Sequence, residues 1–229
     1  MLVDIETIDK VKKICPQTAI AFSTGKDSIA AWLAIKEHFE KIFAYYLYLI
    51  PDISFVEESL LYYEDFFKTK IVRLPHPSLH RWLNAGMFQP PERNIVIEQA
   101  GLPDHDYFAI RACIIEDYDL PQKIMVADGV RSADSPLRHA AIKKYGPISH
   151  RQFRYHPIHN WKKSDLIEAF RAANVKLPID YRFFGRTFDG LDLRFLIKIK
   201  KHFPQDYQKI LEWFPLCDLE IFRYEKRNS

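Results

Sequence analysis

The nine-residue run Ile42–Ile50 constrains the fold of this chain more than any other feature. It reads IFAYYLYLI, with aromatic and β-branched residues and no polar face at helical spacing. It is also far too short to cross a bilayer as a helix. A run of this kind is typical of a strand that is buried on both faces, and such strands belong to parallel sheets covered by helices.

The segments on either side of this run complete a β-α-β-α-β order. Thr18–Phe22 is a short apolar strand, and Ile29–Ile35 continues from it as a buried helix. Phe55–Phe67 has the spacing of a helix, and Ile71–Leu74 is a further strand. We therefore predict an α/β fold with a doubly wound, mostly parallel sheet.

The remaining segments extend this pattern. Strands are predicted at Lys123–Ala127 and Phe153–Tyr155, and helices at Val11–Lys13, Asp106–Glu116, Pro136–Lys144, Lys163–Ala173, Leu191–His202 and Pro204–Phe214. Pro75–Pro103 is rich in proline and is predicted to be irregular, apart from one short helix near Ser78–Ala85. We expect residues 1–175 to form the α/β domain and residues 176–229 to form a small C-terminal loop and helical extension packed on it.

Composition and charge narrow the classes of partner. The hydrophobic share of 48% and charged share of 28% are ordinary for a globular protein. The N-terminus contains acidic residues and lacks a signal-peptide apolar region, so we expect a cytoplasmic protein without a membrane partner. Residues 1–116 have 12 Lys/Arg and 16 Asp/Glu, whereas residues 117–229 have 21 and 14. The basic second half favours an anionic ligand and leaves a protein or nucleic-acid partner open.

A small-residue loop, Ser23–Ser28, stands between the first strand and the first buried helix. Glycine allows the backbone to turn, and the amides at the helix start form an anion cradle. Lys26 is expected to neutralise phosphate oxygens, and Asp27 to cap the helix or hold Mg²⁺. The predicted ligand-binding residues are Ser23, Thr24, Gly25, Lys26, Asp27 and Ser28. The loop is neither a Walker A loop nor a GxGxxG dinucleotide fingerprint.

A second polar loop, Asp128–Arg138, follows the strand predicted at Lys123–Ala127. In a doubly wound sheet, a loop leaving the carboxyl end of a strand lies on the ligand side. Gly129 permits close backbone approach, and arginine guanidinium groups suit phosphate or sulfate. The predicted ligand-binding residues here are Asp128, Gly129, Arg131, Ser135 and Arg138.

Together these loops resemble the PP-loop ATP pyrophosphatase or adenine nucleotide alpha-hydrolase superfamily, and within it a PAPS-reductase-like branch of phage or mobile-element type. Ser23–Ser28 is similar to the SGGxDS motif, with Thr24 in place of its first glycine. Asp128–Arg138 contains G-[IVL]-R-x-x-[EDQ]-S-x-x-R, which PAPS reductases carry after the PP-loop. A looser likeness over Pro178–Gly190 suggests Arg186 as a further ligand contact. The resemblance spans roughly residues 18–215.

The resemblance implies an adenine nucleotide, ATP or a PAPS-like molecule, together with Mg²⁺. The expected reaction is ATP-dependent adenylyl transfer to an unknown acceptor with release of pyrophosphate, and Lys26, Asp27 and Arg131 are its expected catalytic residues. Two alternatives stay open. One is a PAPS or APS reductase, and the other is a catalytically inactive nucleotide-binding module that works with a protein or nucleic-acid partner.

The three cysteines, Cys15, Cys113 and Cys217, are isolated and form no CxxC pair. We therefore expect no disulfide framework and no iron–sulfur cluster. Cys15 and Cys113 occupy positions that suit packing. Cys217 stands in Leu-Cys-Asp rather than in the Glu-Cys-Gly motif of the reductases, so reductase chemistry is the weaker hypothesis.

Overall fold

A computed structural model describes residues 4–228 of the chain. The strands are β1 Gln17–Ala21, β2 Lys41–Tyr48, β3 Ile71–Pro75, β4 Met125–Ala127, β5 Ile148–Ser149 and β6 Arg154–Tyr155. The helices are α1 Ile5–Ile14, α2 Lys26–Ile35, α3 Ser54–Phe67, α4 Pro77–Asn84, α5 Pro91–Ala100, α6 Tyr107–Asp117, α7 Pro136–Tyr145, α8 Lys163–Ala173, α9 Ile179–Phe184, α10 Leu193–His202, α11 Pro204–Trp213 and α12 Cys217–Asn228.

Within the described residues, six strands form one sheet in the order β3-β2-β1-β4-β6-β5. β1 pairs in parallel with both β2 and β4, and β4 pairs in parallel with β6. The short β5 runs antiparallel to β6. The predicted α/β fold with a mostly parallel sheet is confirmed.

Most of the apolar run Ile42–Ile50 forms β2, which lies inside the sheet between β3 and β1, as its composition indicates. Phe43, Ala44, Tyr45 and Tyr46 of β2 are buried. The helix α2 is buried from Ser28 to Ile35, because alanine and aliphatic residues surround its whole circumference.

Several elements were not predicted from the sequence. α5 lies in the proline-rich stretch, α9 lies in the predicted loop Pro178–Gly190, and α12 follows the last predicted helix. α5 begins at a proline and is followed by Gly101 in the left-handed conformation. It buries no residue, so its sequence shows no apolar stripe at helical spacing. The two-residue β5 is too short to show any periodicity.

The contacts between residues separate the described chain into two compact units. The first unit contains residues 1–47, 60–73 and 111–178, and the second contains 48–59, 74–110 and 179–229. Both are discontinuous in sequence, whereas the predicted boundary was a single cut after residue 175; that division stays a prediction. None of the helices described between residues 4 and 228 is long and apolar enough to cross a membrane.

An aromatic cluster supports the carboxyl end of β1 within the first unit. Phe22, the residue after the strand, packs edge-on against Trp32 of α2 and Tyr63 of α3, with ring centroids 5.0 and 5.1 Å apart. Trp32 in turn stacks on Phe67 at 4.0 Å. Because large buried rings fix the start of the following loop, the loop begins from a rigid support.

Candidate functional site

The two predicted ligand loops leave the same edge of the sheet from neighbouring strands. Ile20 of β1 pairs with Ala127 of β4, so the loops that follow these strands begin side by side. The chain passes from β1 outward through β2 to β3, then crosses to β4 on the other side of β1. The crevice between β1 and β4 is therefore a topological switch point, the usual ligand position in an open α/β sheet.

The first loop, Ser23–Ser28, is closed by its own serines. The hydroxyl of Ser28 donates to the carbonyl oxygen of Gly25 at 2.9 Å and accepts from the amide and the hydroxyl of Ser23, at 3.3 and 3.2 Å. Gly25 is the N-cap of α2 and supplies no side-chain cap. The serines thus shape the loop, and the first amides of α2 have no N-cap side chain in front of them.

The left-handed residue of this loop is Thr24 rather than glycine. Its φ is 58°, whereas Gly25 has an extended backbone with φ −66° and ψ 151°. The Thr24 side chain is buried, and its hydroxyl donates to the carbonyl oxygen of Ser23 at 2.6 Å. A β-branched residue is rare at positive φ, so the position that holds glycine in the SGGxDS motif is a strained one here. The turn is predicted at Gly25, but the left-handed residue lies one position earlier.

The second loop approaches the first through Gly129. A Cβ atom at this position would lie 2.6 Å from the carbonyl carbon of Asp27 and 2.8 Å from the amide nitrogen of Ser28. These are backbone atoms of the first turn of α2 and cannot move aside without moving the helix. Glycine is therefore required at position 129 by close approach and not by an unusual φ.

Ion pairs connect the side chains of the two loops in an alternating series. Lys26 Nζ lies 2.7 Å from Asp27 Oδ2, and Arg131 Nε lies 2.9 Å from Asp27 Oδ1. Asp134 joins Arg131 to Arg138, with distances of 2.7 and 2.9 Å. Arg131 is 6% exposed, which makes it the most buried cation of the series. The predicted residues Lys26, Asp27, Arg131 and Arg138 thus form one contiguous network.

Asp134 belongs to the motif in Asp128–Arg138, but it is not among the predicted ligand-binding or catalytic residues. Its carboxylate holds the guanidinium groups of both arginines and accepts from the backbone amide of Arg131 at 3.1 Å. Its place in the G-[IVL]-R-x-x-[EDQ] segment was a sufficient signal. Both carboxylates of the network, Asp27 and Asp134, are therefore occupied by cations in this structure.

Two histidines from the turn after β6 hold the second loop in place. His156 Nδ1 lies 2.6 Å from Oδ1 of Asp128, which also accepts from the amide of Val130. The carbonyl oxygen of His159 accepts from the amide of Ser132 at 2.8 Å. These contacts indicate a positioning role for the two histidines, which residue spacing alone does not reveal.

His159 connects this region to the start of α1. Its Nε2 lies 2.7 Å from Oδ2 of Asp4, the N-cap residue of α1. Although partial burial alone raises the pKa of Asp4, the hydrogen bonds from Thr7 and His159 outweigh it, and the pKa is lowered overall. Asp4 is thus held as a carboxylate that anchors the histidine turn.

Two other predicted ligand residues have local roles. Ser135 caps α7 by accepting from the amide of Arg138 at 3.2 Å. Arg186 belongs to the second unit, where its guanidinium group pairs with Asp189.

The cysteines differ in exposure. Cys113 is exposed, so the prediction that it serves packing is wrong: it lies on α6 beside two buried isoleucines but faces the other way. Cys15 and Cys217 are buried. Burial, with a smaller contribution from Glu220, raises the pKa of the Cys217 thiol to about 12.

No protein-family model and no curated protein sequence matches this chain. The structure is similar to the U34-tRNA thiolase NcsA from Methanococcus maripaludis with its [4Fe-4S] cluster, at 13% identity and a TM-score of 0.44 over 93% of this chain and 78% of that one. It is also similar to the NH3-dependent NAD synthetase from Campylobacter jejuni subsp. jejuni NCTC 11168 in complex with the nitrate ion, at 15% identity and a TM-score of 0.46 over 97% of this chain and 92% of that one.

The cofactor expectation needs a correction. The isolated cysteines led to the expectation of no iron–sulfur cluster, which is contradicted by the [4Fe-4S] cluster of the structurally similar thiolase. Cluster ligands are brought together by the tertiary structure, so their spacing along the sequence does not decide the matter. Among residues 4–228, no group of three or more His, Cys, Asp or Glu side chains is placed to hold a metal ion.

Proposed function

We propose that the first unit binds an adenine nucleotide with its phosphates in the Ser23–Ser28 loop, and that it uses ATP to adenylate an acceptor. The observation that carries this proposal is the contact between the two loops at the switch point. Gly129 lies against the backbone of Asp27 and Ser28, and Arg131 reaches Asp27 at 2.9 Å. One anion-binding loop and one arginine loop therefore meet in a single crevice.

The residues of this crevice suit polyphosphate. The start of α2 offers backbone amides and the positive end of the helix dipole. Lys26 and Arg131 provide two cations within reach of Asp27, and a phosphate oxygen that displaces this carboxylate gains charge-assisted hydrogen bonds from both. Because Asp134 also holds Arg131 at 2.7 Å, the guanidinium group stays oriented during the exchange.

Adenylyl transfer requires few further groups from the protein. An acceptor oxygen attacks the α-phosphorus, a new oxygen–phosphorus bond forms, and the bond to the bridging oxygen breaks with pyrophosphate as the leaving group. The contribution of the enzyme is alignment and neutralisation of charge on the phosphates, so no nucleophilic side chain is needed. Lys26 and Arg131 are the residues we assign to this role.

Reductase chemistry fits the cysteines less well. It requires a thiolate that attacks sulfur, and the thiol at Cys217 is buried with a pKa raised to about 12 by that burial. Less than about one molecule in a thousand carries this thiolate at neutral pH. The nucleotide-binding module without chemistry differs from our proposal only in the absence of turnover.

The binding half of the proposal is tested by calorimetry with ATP. We expect Lys26→Ala to weaken binding by about 1.5–3 kcal/mol, the range for loss of a charge-assisted contact. The matched control is Lys36→Ala, because Lys36 lies at the opposite end of the same helix and pairs with Glu37. If the two variants bind ATP with equal affinity, Ser23–Ser28 is not the phosphate-binding loop.

The chemical half needs two product assays. Pyrophosphate release that depends on an added acceptor supports adenylyl transfer, and mass identification of a copurifying nucleotide would guide the choice of acceptor. Sulfite release in the presence of thioredoxin would instead establish the reductase. Nucleotide binding with neither product, across a broad acceptor panel, would favour the binding module.

A further inference from the structure

A basic helix that buries none of its side chains follows the second loop. α7 starts after its N-cap Ser135 with Pro136 in the first turn, and it extends for ten residues. Leu137 is 84% exposed and Tyr145 is 72% exposed. Helices in proteins gain most of their stability from packing, yet every residue of α7 except the half-buried Ile142 is exposed.

The charge around this helix has one sign. Residues 135–164 contain seven lysines and arginines, four histidines and no aspartate or glutamate. These seven cations are as many as the whole positive surplus of the second half of the sequence. Three of them, Arg138, Lys143 and Lys144, are on α7, and all three are exposed. The charge is therefore complementary to a polyanion.

The arrangement of the cations distinguishes among polyanions. At about 100° per residue, Lys143 and Lys144 lie about 140° and 240° around the helix axis from Arg138. Between Lys144 and Arg138, the exposed residues Leu137, Ala141 and Tyr145 form a narrow apolar stripe at i, i+4 and i+8, so cations border this stripe on both sides. A helix with charges on opposite sides suits a groove that has phosphates on both walls.

Only one common nucleic-acid form offers such a groove to a helix. The major groove of B-form DNA is about 12 Å wide and admits an α-helix, and its base edges accept apolar contacts from alanine to thymine methyl groups. The major groove of A-form RNA is too deep and narrow for side chains to read. Small apolar residues, Ala140 and Ala141, lie in the middle of α7 and are exposed.

We propose that α7 docks in the major groove of double-stranded DNA, with Arg138, Lys143 and Lys144 contacting phosphates on both walls. The ion pair between Arg138 and Asp134, at 2.9 Å, fixes the first turn of the helix to the second loop. The contacts of Lys143 and Lys144 are separate from nucleotide binding, because these two residues lie in the last turn of α7.

Fluorescence anisotropy with a labelled, mixed-sequence DNA duplex of about 20 base pairs tests this proposal. The test variant is Lys143→Ala/Lys144→Ala. The control, Lys68→Ala/Lys70→Ala, removes the same charge from two exposed positions elsewhere in the first unit. Alanine is favourable in an exposed helix, so α7 should persist, and far-UV circular dichroism checks this. An RNA duplex of the same sequence, the single DNA strand and polyglutamate serve as competing probes.

We expect the plot of log K against log salt to become shallower by about 2 for the α7 variant, since each phosphate contact on B-form DNA contributes about 0.9. The control variant should keep the wild-type slope, and the three competing probes should bind at least about tenfold more weakly than the DNA duplex. Equal slopes for the two variants would overturn the proposal. So would binding of the RNA duplex, the single strand or polyglutamate as tight as that of the DNA duplex.

Discussion

Arg131 Nε lies 2.9 Å from Asp27 Oδ1, although the two atoms are not aligned as a hydrogen bond. This contact joins a loop after β4 to a loop after β1. It is electrostatic and lacks hydrogen-bond geometry, so an incoming anion can replace the carboxylate without breaking a well-formed bond. The Asp27–Arg131 pair is therefore both the link between the loops and the place where we expect a phosphate group to enter.

The buried and exposed arginines of the network should differ in their effect on stability. Arg131 and Arg138 share the carboxylate of Asp134, but their side chains are 8% and 51% exposed. Arg131→Gln removes one cationic partner from each of the partly buried carboxylates of Asp27 and Asp134. It should therefore lower the free energy of unfolding by about 2–4 kcal/mol. Arg138→Gln should cost less than about 1 kcal/mol. Urea unfolding of both variants measures the difference, and similar losses would contradict the burial argument.

Close approach at Gly129 predicts a contrast between two glycines. In Gly129→Ala the new methyl group meets backbone atoms at 2.6–2.8 Å, so the loops must separate. We expect a loss of about 1–3 kcal/mol in stability, together with weaker ATP binding. At Gly190 a Cβ would meet nothing nearer than Asp192 Oδ2 at 3.9 Å, and Gly190→Ala should change both quantities little. Normal ATP affinity in Gly129→Ala would refute the contact.

The left-handed Thr24 predicts an unusual order of variants. Glycine at this position removes a backbone cost of roughly 1–2 kcal/mol but makes the unfolded chain more flexible, so Thr24→Gly should stay within about 1 kcal/mol of the wild type. Thr24→Val keeps the strain and loses the hydrogen bond to the Ser23 carbonyl, so it should be the least stable. Thermal unfolding of the three proteins establishes the order. A glycine variant less stable than the valine variant would show that φ is not the controlling factor.

The cysteines should react at very different rates with a thiol reagent. Cys113 is exposed, whereas Cys15 and Cys217 are buried, and burial raises the pKa of Cys217 to about 12. We expect one fast-reacting thiol in the native protein, which disappears in Cys113→Ser, and two further thiols only after unfolding. Cys217→Ser serves as the control and should leave the fast phase intact. Loss of that phase in the control would mean that Cys217 is accessible.

The raised pKa of Asp180 in the second unit predicts that the stability of the protein depends on pH. Burial raises its pKa to about 6, hydrogen bonds from backbone amides such as that of Phe188 oppose this, and the nearby charge of Asp189 adds to it. The folded pKa exceeds the unfolded value of 3.8, so the stability from protonated Asp180 is complete below about pH 3.8 and is lost as pH rises through about 6.

Asp180→Asn cannot ionise and should therefore gain stability relative to the wild type between about pH 4 and pH 7, by up to roughly 3 kcal/mol. Chemical unfolding at both pH values measures this gain. Asp104→Asn is the control, because Asp104 is an exposed aspartate of the same unit. A difference between wild type and Asp180→Asn that does not change with pH would contradict the raised pKa.

Local sequence patterns predict most strands of the sheet and the two loops. The apolar run Ile42–Ile50 and the strand–helix alternation around it encode buried strands through local periodicity, which one stretch of chain displays without help from the rest. The loops Ser23–Ser28 and Asp128–Arg138 were also visible, because small, charged and turn-forming residues directly follow apolar strands. The side-by-side departure of the loops then follows from parallel pairing of β1 with β4.

The contacts and conformations of the loop side chains are set by the tertiary structure. Asp27 faces Arg131, the left-handed residue is Thr24 and not Gly25, His156 holds Asp128, and Cys113 faces outward. The Asp27–Arg131 contact joins residues more than a hundred positions apart, the His156–Asp128 contact joins residues 28 positions apart, and the exposure of Cys113 depends on which side of α6 faces the core. Periodicity shows that a segment has a buried face, but the partner of a polar atom is set by packing of distant segments.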